Sequence, residues 1–511
     1  MFTEDQSATV AFLADPETHG LDRPVRTMET HISRIFLTGG RVYKLKRAVK
    51  LPYVDFSTPE IRLNACEREV EFNSPGAPGL YCGVRRITRE PDGTLVFDGT
   101  GTLVDAVVEM VEFAQEQLFD RMADRGELDA PLMADVAEMI ADYHGRAPAV
   151  HTGSGSANVA GVLAINEAGF ATSHLFEPSA VARLNATFRA GLAQHADLLD
   201  RREAAGHVRR CHGDLHLRNI CRIGDRPCLF DCIEFNDQIA ICDTLYDLAF
   251  LLMDLWHRGM PDLANRVANR YLDRTGDDDG FVLLTYFMAM RSAVRAHVTA
   301  TQIEEGSPNA ALAAEAKSYF ALAESLLSPA HSRAIVIGGL SGSGKSTIAD
   351  HLAPELSPPP GARIIESDRL RKRHFGATPE TPLPPEAYRP EVSVVIYHQM
   401  IERLLLIAGA GGSVIVDAVY DRPETRAAIA EAARAASLAP LLVWLDADPE
   451  RLRDRVRART RESTASDADT AILDRQLDHD PGTIDWLRID AAQPIAEIVE
   501  ELKNRLRAPK A

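Results

Sequence analysis

Gly339-Leu340-Ser341-Gly342-Ser343-Gly344-Lys345-Ser346 satisfies G-x-x-x-x-G-K-[ST] at every fixed position. The apolar run Ala334-Ile335-Val336-Ile337 leads into this loop as a strand, and Thr347-Ile348-Ala349-Asp350-His351-Leu352 leads out of it as the start of a helix. In that order the loop's backbone N–H groups and the positive end of the helix face one point, where a phosphate binds. Gly339, Gly342 and Gly344 let the backbone close around the phosphates, with Ser346 and Thr347 at the helix start. Lys345 reaches toward the β- and γ-phosphates and Ser346 toward Mg²⁺, so ATP with magnesium is the expected ligand.

Outward from the loop, short apolar runs at residues 334–337, 363–365, 414–416 and 441–445 alternate with amphipathic segments. Such alternation predicts a doubly wound parallel sheet with helices on both faces. An open sheet of that kind carries its ligands at the strand ends. There, Arg363-Ile364-Ile365-Glu366-Ser367-Asp368-Arg369-Leu370-Arg371 puts Asp368 just past a strand and Arg371 one helical turn later. Asp368 is a candidate to orient or deprotonate an acceptor hydroxyl, and Arg371 to clamp an anionic group. Asp417, ending Val414-Ile415-Val416, is a further acid for Mg²⁺ or its waters. Taken whole, residues 334–511 resemble the gluconate kinase and zeta-toxin-like P-loop kinases, and the arginine-rich stretch 451–461 resembles the lid of nucleotide and gluconate kinases. The lid resemblance implies phosphate contacts from Arg455 and Arg459; the alternative is a solvated basic helix face.

The second informative stretch is Cys211-His212-Gly213-Asp214-Leu215-His216-Leu217-Arg218-Asn219-Ile220. Phosphoryl transfer needs a carboxylate to take the proton of the attacking hydroxyl, together with oxygen ligands for Mg²⁺. Asp214 and Asn219 stand at the separation of the catalytic Asp and metal-binding Asn of kinase loops, and Leu229-Phe230-Asp231 ends a later strand in a further acid. Asp and Asn also cap turns, but these three acids and amides come in the order that phosphoryl transfer requires.

This segment resembles the catalytic loop of the aminoglycoside phosphotransferase and choline kinase-like families, relatives of the protein kinases, over roughly residues 25 to 325. The resemblance implies His212 as the brace of the loop, Asp214 as general base, and Asn219 and Asp231 as Mg²⁺ ligands. Asp243 and Asp247 are implied as acids supporting the segment. It also implies a lysine on the phosphates, which Lys44 or Lys46 could supply from Val42-Tyr43-Lys44-Leu45-Lys46, where alternation puts both on one face. A helix glutamate should hold that lysine, with Glu69 preferred over Glu67, and adenine should lie along a hinge strand near Met110. Two features depart from the pattern: no Gly-rich loop precedes the lysine strand, and Cys232-Ile233-Glu234 follows Asp231. Glu234 is left as a candidate for metal or substrate.

The expected architecture is a mixed α/β and α+β multidomain chain. A protein-kinase-like bilobal module spans residues 1–325, with a β-rich lobe at about 25–110 and a helical lobe at about 111–325. A linker at 326–333 joins it to a P-loop module at 334–511. The hairpin turn at Thr38-Gly39-Gly40, the helix start at Ser57-Thr58-Pro59-Glu60, and the helical face of Leu132, Val136, Met139, Ile140 and Tyr143 fit that plan. His144, beside that face, reads as a packed helix-end histidine.

The 511 residues exceed what one core supports. The net charge of -18 divides as 23 basic against 27 acidic residues from position 334 onward and 33 against 47 before it. The first module carries most of the negative charge, which disfavours nucleic acid as its main partner and suits a cationic small molecule, with a solubilising acidic surface as the alternative. No stretch approaches the roughly 18 uninterrupted apolar residues of a membrane span. The N-terminus has no secretory pattern, and seven unevenly spaced cysteines match reduced thiols better than a disulfide or zinc framework, so a cytoplasmic protein is expected. The oligomeric state is not legible. The expected function is an ATP-dependent, bifunctional kinase acting on hydroxyl-bearing small molecules such as sugars, amino-sugars or aminoglycosides. The alternative is one phosphotransferase regulated by a P-loop switch or partner-binding module.

Overall fold

A computed structural model describes residues 4–30, 32–51, 54–305, 309–378, 381–436, 439–459, 467 and 469–507. The chain divides into two compact units: Met1–Val162 with Ala196–Leu251, and Leu163–His195 with Leu252–Ala511. The stretch 326–333 lies within the second unit, which therefore joins the helices from residue 252 onward to the P-loop sheet.

In the first unit, six antiparallel strands lie in the order Arg26–Glu29, Ser33–Leu37, Arg41–Lys46, Thr102–Val111, Tyr81–Arg89, Leu95–Phe97. Ser33–Leu37 and Arg41–Lys46 pair through the expected turn, where Glu112 Oε2 accepts from the backbone N–H groups of Gly39 and Gly40. The helix Pro59–Asn73 opens on Thr58, whose hydroxyl accepts from Ile61 N, with proline preset at the first helical position. It packs Cys66 against a core of Leu80, Ala106, Val108 and Met110, which also takes in Cys221 and Cys228 of the hairpin Ile220–Ile223 and Arg226–Leu229. All seven cysteines are free, and Cys82 alone among them is exposed.

In the second unit, five parallel strands run in the order Arg363–Glu366, Val414–Asp417, Ala334–Gly338, Leu441–Asp446, Leu487–Asp490. The fifth strand had no signal in the sequence beyond its four residues. Ile335, Ile337, Ile364, Ile415, Val443 and Leu445 bury one face with Ile348 and Leu352 of Lys345–Leu352 and Ile498 and Leu502 of Ile495–Arg507. Near-continuous β-branched and leucine runs are what a parallel sheet covered on both faces requires. Helix Pro390–Gly409 is, among the described residues, the one helix long and apolar enough to cross a membrane by length and composition. It buries Ile396, Met400, Leu404, Ile407 and Ala408, and it lies against the strands Arg363–Glu366 and Val414–Asp417.

Candidate phosphoryl-transfer sites

Alternation along Arg41–Lys46 turns Lys44 and Lys46 toward the helix Pro59–Asn73, where Glu69 is fully buried while Glu67 is exposed. Glu69 Oε1 lies 2.8 Å from Lys44 Nζ, and Glu69 Oε2 pairs with Lys46 Nζ. The two lysines then diverge. Lys44 pairs with Asp231, and Lys46 pairs with Glu234. Lys46 is 1% exposed, whereas the side chain of Asp231 is 45% exposed, so only the Lys44 end of the ring opens to a ligand. Burial pulls both lysines down, but the facing carboxylates outweigh it and hold them above their ordinary range. Burial likewise pushes Glu69 up, and the two lysines overcome this and hold it at about 2. Glu234, read from sequence as a candidate for metal or substrate, is 2% exposed and paired with Lys46.

The Asp214 loop is fixed atom by atom. Asn219 Nδ2 donates to Asp214 O and Oδ2, each at 2.9 Å, leaving the Asn219 amide oxygen as an acceptor. His216 Nε2 stands 3.3 Å from Asp214 Oδ2. His212 accepts from Asp214 N at Nδ1, which makes Nε2 the N–H that donates to Phe230 O at 2.9 Å. Burial lowers the His212 pKa and favours that neutral ring. His212 thus braces the loop and does not face solvent. Asp247 accepts from His212 N, Gly213 N and His144 Nε2. Asp243 accepts from Arg202 Nε at 2.8 Å and Nη2 at 2.9 Å.

The loops carrying Asp214 and Asp231 are zipped together by Phe230 N donating to Asn219 O at 3.1 Å and Ile233 N to His212 O at 2.9 Å. Asp231 adopts φ 62°, a left-handed conformation that costs a non-glycine residue about 1–3 kcal/mol and is held here from outside. Tyr81 Oη accepts from Asp231 N at 3.1 Å, and Asn73 Oδ1 accepts from Cys232 N at 2.8 Å. Lys44 is a cation already set against the Asp231 carboxylate, and an amide oxygen with an open carboxylate is a donor set suited to magnesium. His216, Tyr81, Asn73 and Arg202 carried no sequence motif. Met110, 7% exposed, lies in the core beside Phe113 and Phe230 at the end of its strand.

In the second unit, Gly342 has φ 83°, and a Cβ there would lie 2.8 Å from Leu452 O, so the phosphate loop needs glycine at that point. Lys345 Nζ rests on Leu340 O at 3.3 Å. Ser346 Oγ lies 2.7 Å from Asp417 Oδ2 and 3.0 Å from Glu366 Oε1. A hydroxyl has one proton, so it can donate to only one of these carboxylates, and the other approach calls for a cation or a proton. Burial pushes Glu366 up to about 7; the Arg369 guanidinium opposes this, and Asp417 adds to it. The donor set therefore fits magnesium. Glu366 was not singled out from sequence; its only signal was an acid at a strand end.

Arg371 is 6% exposed, donates to Ala387 O at 2.6 Å and lies over Tyr388, but its Nε has no partner. Asp368 is half-buried in the first turn of Ser367–His374; burial raises the pKa values of Asp417, Tyr388 and Tyr397, and the nearby Asp368 charge adds to the rise. Arg455 donates to Gly342 O at 3.4 Å and Ala491 O at 2.8 Å, which puts it on the loop backbone. The Arg459 side chain lies outside the described residues.

Residues 99–282 match the family described as "Phosphotransferase enzyme family", and residues 335–480 match an AAA domain. Uncharacterized proteins of Mycobacterium tuberculosis and Mycobacterium bovis are each 29% identical over 485 residues, covering 93% of this chain and 94% of theirs. A choline/ethanolamine kinase family protein from Mesorhizobium loti is similar at 16% identity and TM-score 0.42, over 63% of this chain and 94% of that one. A gluconokinase from Sinorhizobium meliloti is similar at 27% identity and TM-score 0.24, over 34% of this chain and 90% of that one. The chain is a kinase in which residues 99–282 match the phosphotransferase enzyme family and residues 335–480, around the P-loop, match an AAA domain.

Proposed function

We propose that the chain is a bifunctional ATP-dependent kinase in which each module transfers a γ-phosphate to a hydroxyl of a small molecule. We take 1–325 and 334–511 as the two modules, joined by 326–333. In the first, Asp214 accepts the proton of the acceptor hydroxyl, with its carboxylate aimed by Asn219 and His216. Lys44, held by Glu69, turns from Asp231 to the phosphates, and adenine lies along Met110. Asn219 and Asp231 would hold magnesium, which when bound offsets the charge of the phosphates. In the second module Lys345 and the loop amides hold phosphate, Ser346, Glu366 and Asp417 form the metal site, Asp368 orients the acceptor, and Arg371 Nε is free for an anionic group. Seven free thiols support a cytoplasmic setting.

The observation that carries this reading is the joint presence of two complete sets: Asp214 bonded to Asn219 beside the Lys44–Glu69–Asp231 ring, and Ser346 set between two carboxylates. Purified chain with Asp214→Ala or Lys345→Ala, screened against sugars, amino-sugars and aminoglycosides by ADP release and phosphate mass shift, tests it. Each variant should lose a different acceptor's turnover. If Asp214→Ala removed all acceptor-dependent turnover and Lys345→Ala only altered its regulation, the bifunctional reading would give way to a regulated single phosphotransferase.

A further inference from the structure

The strand Arg363–Glu366 is an edge of the parallel sheet, and an open edge presents unpaired backbone groups. Here two buried asparagines of helix Pro261–Thr275 bond to it and to the residues that lead into it. Asn269 Oδ1 accepts from Ile364 N at 2.8 Å, and its Nδ2 donates to Ala362 O at 3.1 Å. Asn265 Nδ2 donates to Pro360 O and Ala362 O, each at 3.0 Å. Arg363 at the strand start is fully committed to the same segment, through Asp278 Oδ1 at 2.7 Å and Asp273 Oδ1 at 2.7 Å. The far end of this strand is Glu366, which faces the phosphate-loop serine.

One acid of the helix spans that distance. Asp273 gives its first oxygen to Arg363 and its second to Arg369 Nη1, 3.4 Å away. Arg369, 11% exposed, sits with Nε 2.7 Å from Glu366 Oε2 and Nη2 3.6 Å from Asp350 Oδ1. Neither Arg369 Nε nor Glu366 Oε2 makes an aligned hydrogen bond, so their contact is one of charge alone, and Glu366 keeps its Oε1 on Ser346. Three carboxylates, Glu366, Asp273 and Asp350, thus share the Arg369 guanidinium, and of these Asp273 alone also holds Arg363 at the start of the strand.

We propose that Asp273 is a positioning residue for the magnesium site of the phosphate loop, acting through Arg369 on Glu366. The proposal rests on the reading of Ser346, Glu366 and Asp417 as that site. With Asp273 neutral, Arg369 is left to Glu366 and Asp350, draws the Glu366 carboxylate off Ser346, and weakens the hold on magnesium. A helix matched to the phosphotransferase family thereby tunes metal binding in the P-loop module.

The test uses the full-length chain with Lys44→Met, a fluorescent ATP analogue, and Mg²⁺ as titrant, reading the binding signal that Lys345→Ala removes. Asp273→Asn should raise the Mg²⁺ midpoint on the order of ten-fold, the usual cost of losing an outer-shell partner. Asp273→Glu should fall between the two, and it supplies the answer if Asp273→Asn gives no cooperative melt. Asp278→Asn breaks the Arg363 and Arg403 pairs without touching Arg369, so it should lower the melting temperature of the nucleotide-free chain and leave the midpoint alone. In a Glu366→Gln background, Asp273→Asn should add no further shift. An unshifted midpoint in both Asp273 variants, an equal shift from Asp278→Asn, or an additive shift with Glu366→Gln would each overturn the proposal alone. Absence of any Lys345-dependent signal in the Lys44→Met chain would overturn the P-loop reading and the proposal together.

Discussion

Glu69 holds Lys44 with one carboxylate oxygen and Lys46 with the other, so one buried side chain fixes both lysines of the strand Arg41–Lys46. The sequence left the choice between them open; their second partners separate them. Lys44 is shared with Asp231, beside the Asp214 loop, and Lys46 with Glu234, which is buried.

The two lysines should therefore fail in different ways. Lys46→Met leaves Glu69 and Glu234 facing each other in the interior and should destabilise the fold by roughly 3–5 kcal/mol, read as a lower melting temperature. Lys44→Met keeps Glu69 paired with Lys46 and should melt near the unaltered chain while losing about 10²-fold or more of first-module turnover. Equal melting temperatures for the two variants would contradict the division of roles.

Tyr81→Phe removes the acceptor of Asp231 N, leaving a strained residue, proposed above to hold magnesium, with an unpaired backbone donor. The unmet bond costs about 1–3 kcal/mol. First-module turnover should fall several-fold and need more Mg²⁺ to saturate, with the P-loop module unchanged. A turnover curve that kept its Mg²⁺ midpoint would remove Tyr81 from the support of Asp231.

His212 has a folded pKa below its ordinary value of 6.5 because burial disfavours the charged ring. The unfolded chain takes up a proton near pH 6.5 that the folded chain resists, so stability is lost as pH falls below that point. Protonation also removes the Nδ1 acceptor of Asp214 N. Melts from pH 8 to pH 5 should show a fall below about 6.5 that is shallower in His212→Gln. A slope unchanged by the substitution would assign the acid loss to other groups.

Gly342→Ala sets a methyl group against Leu452 O at a residue with φ 83°. Nucleotide affinity of the P-loop module should drop at least ten-fold, while Asp214-dependent turnover persists. Titration with the fluorescent ATP analogue in a Lys44→Met background reads the first, and ADP release with a first-module acceptor reads the second.

Local order in the sequence was enough to give the phosphate loop, the parallel sheet around it, the Asp214–Asn219 loop and the later Asp231. The G-x-x-x-x-G-K-S loop between a strand and a helix, and an acid five residues from its partner amide, are written in contiguous residues. The same holds for the helix start at Thr58 and the hairpin at Gly39-Gly40, whose chemistry is local. What only tertiary structure decided were contacts between residues far apart in the chain. These include the pairing of Lys44 with Asp231 and of Lys46 with Glu234, and the contacts of Tyr81 with Asp231 and of Glu366 with Ser346. They also include the bonds of Asn265 and Asn269 to the strand Arg363–Glu366 and its lead-in, nearly a hundred residues later, within the same compact unit as helix Pro261–Thr275. A buried charge or an open sheet edge must be met by some partner, but which one depends on the packed fold and leaves no spacing in the sequence to read.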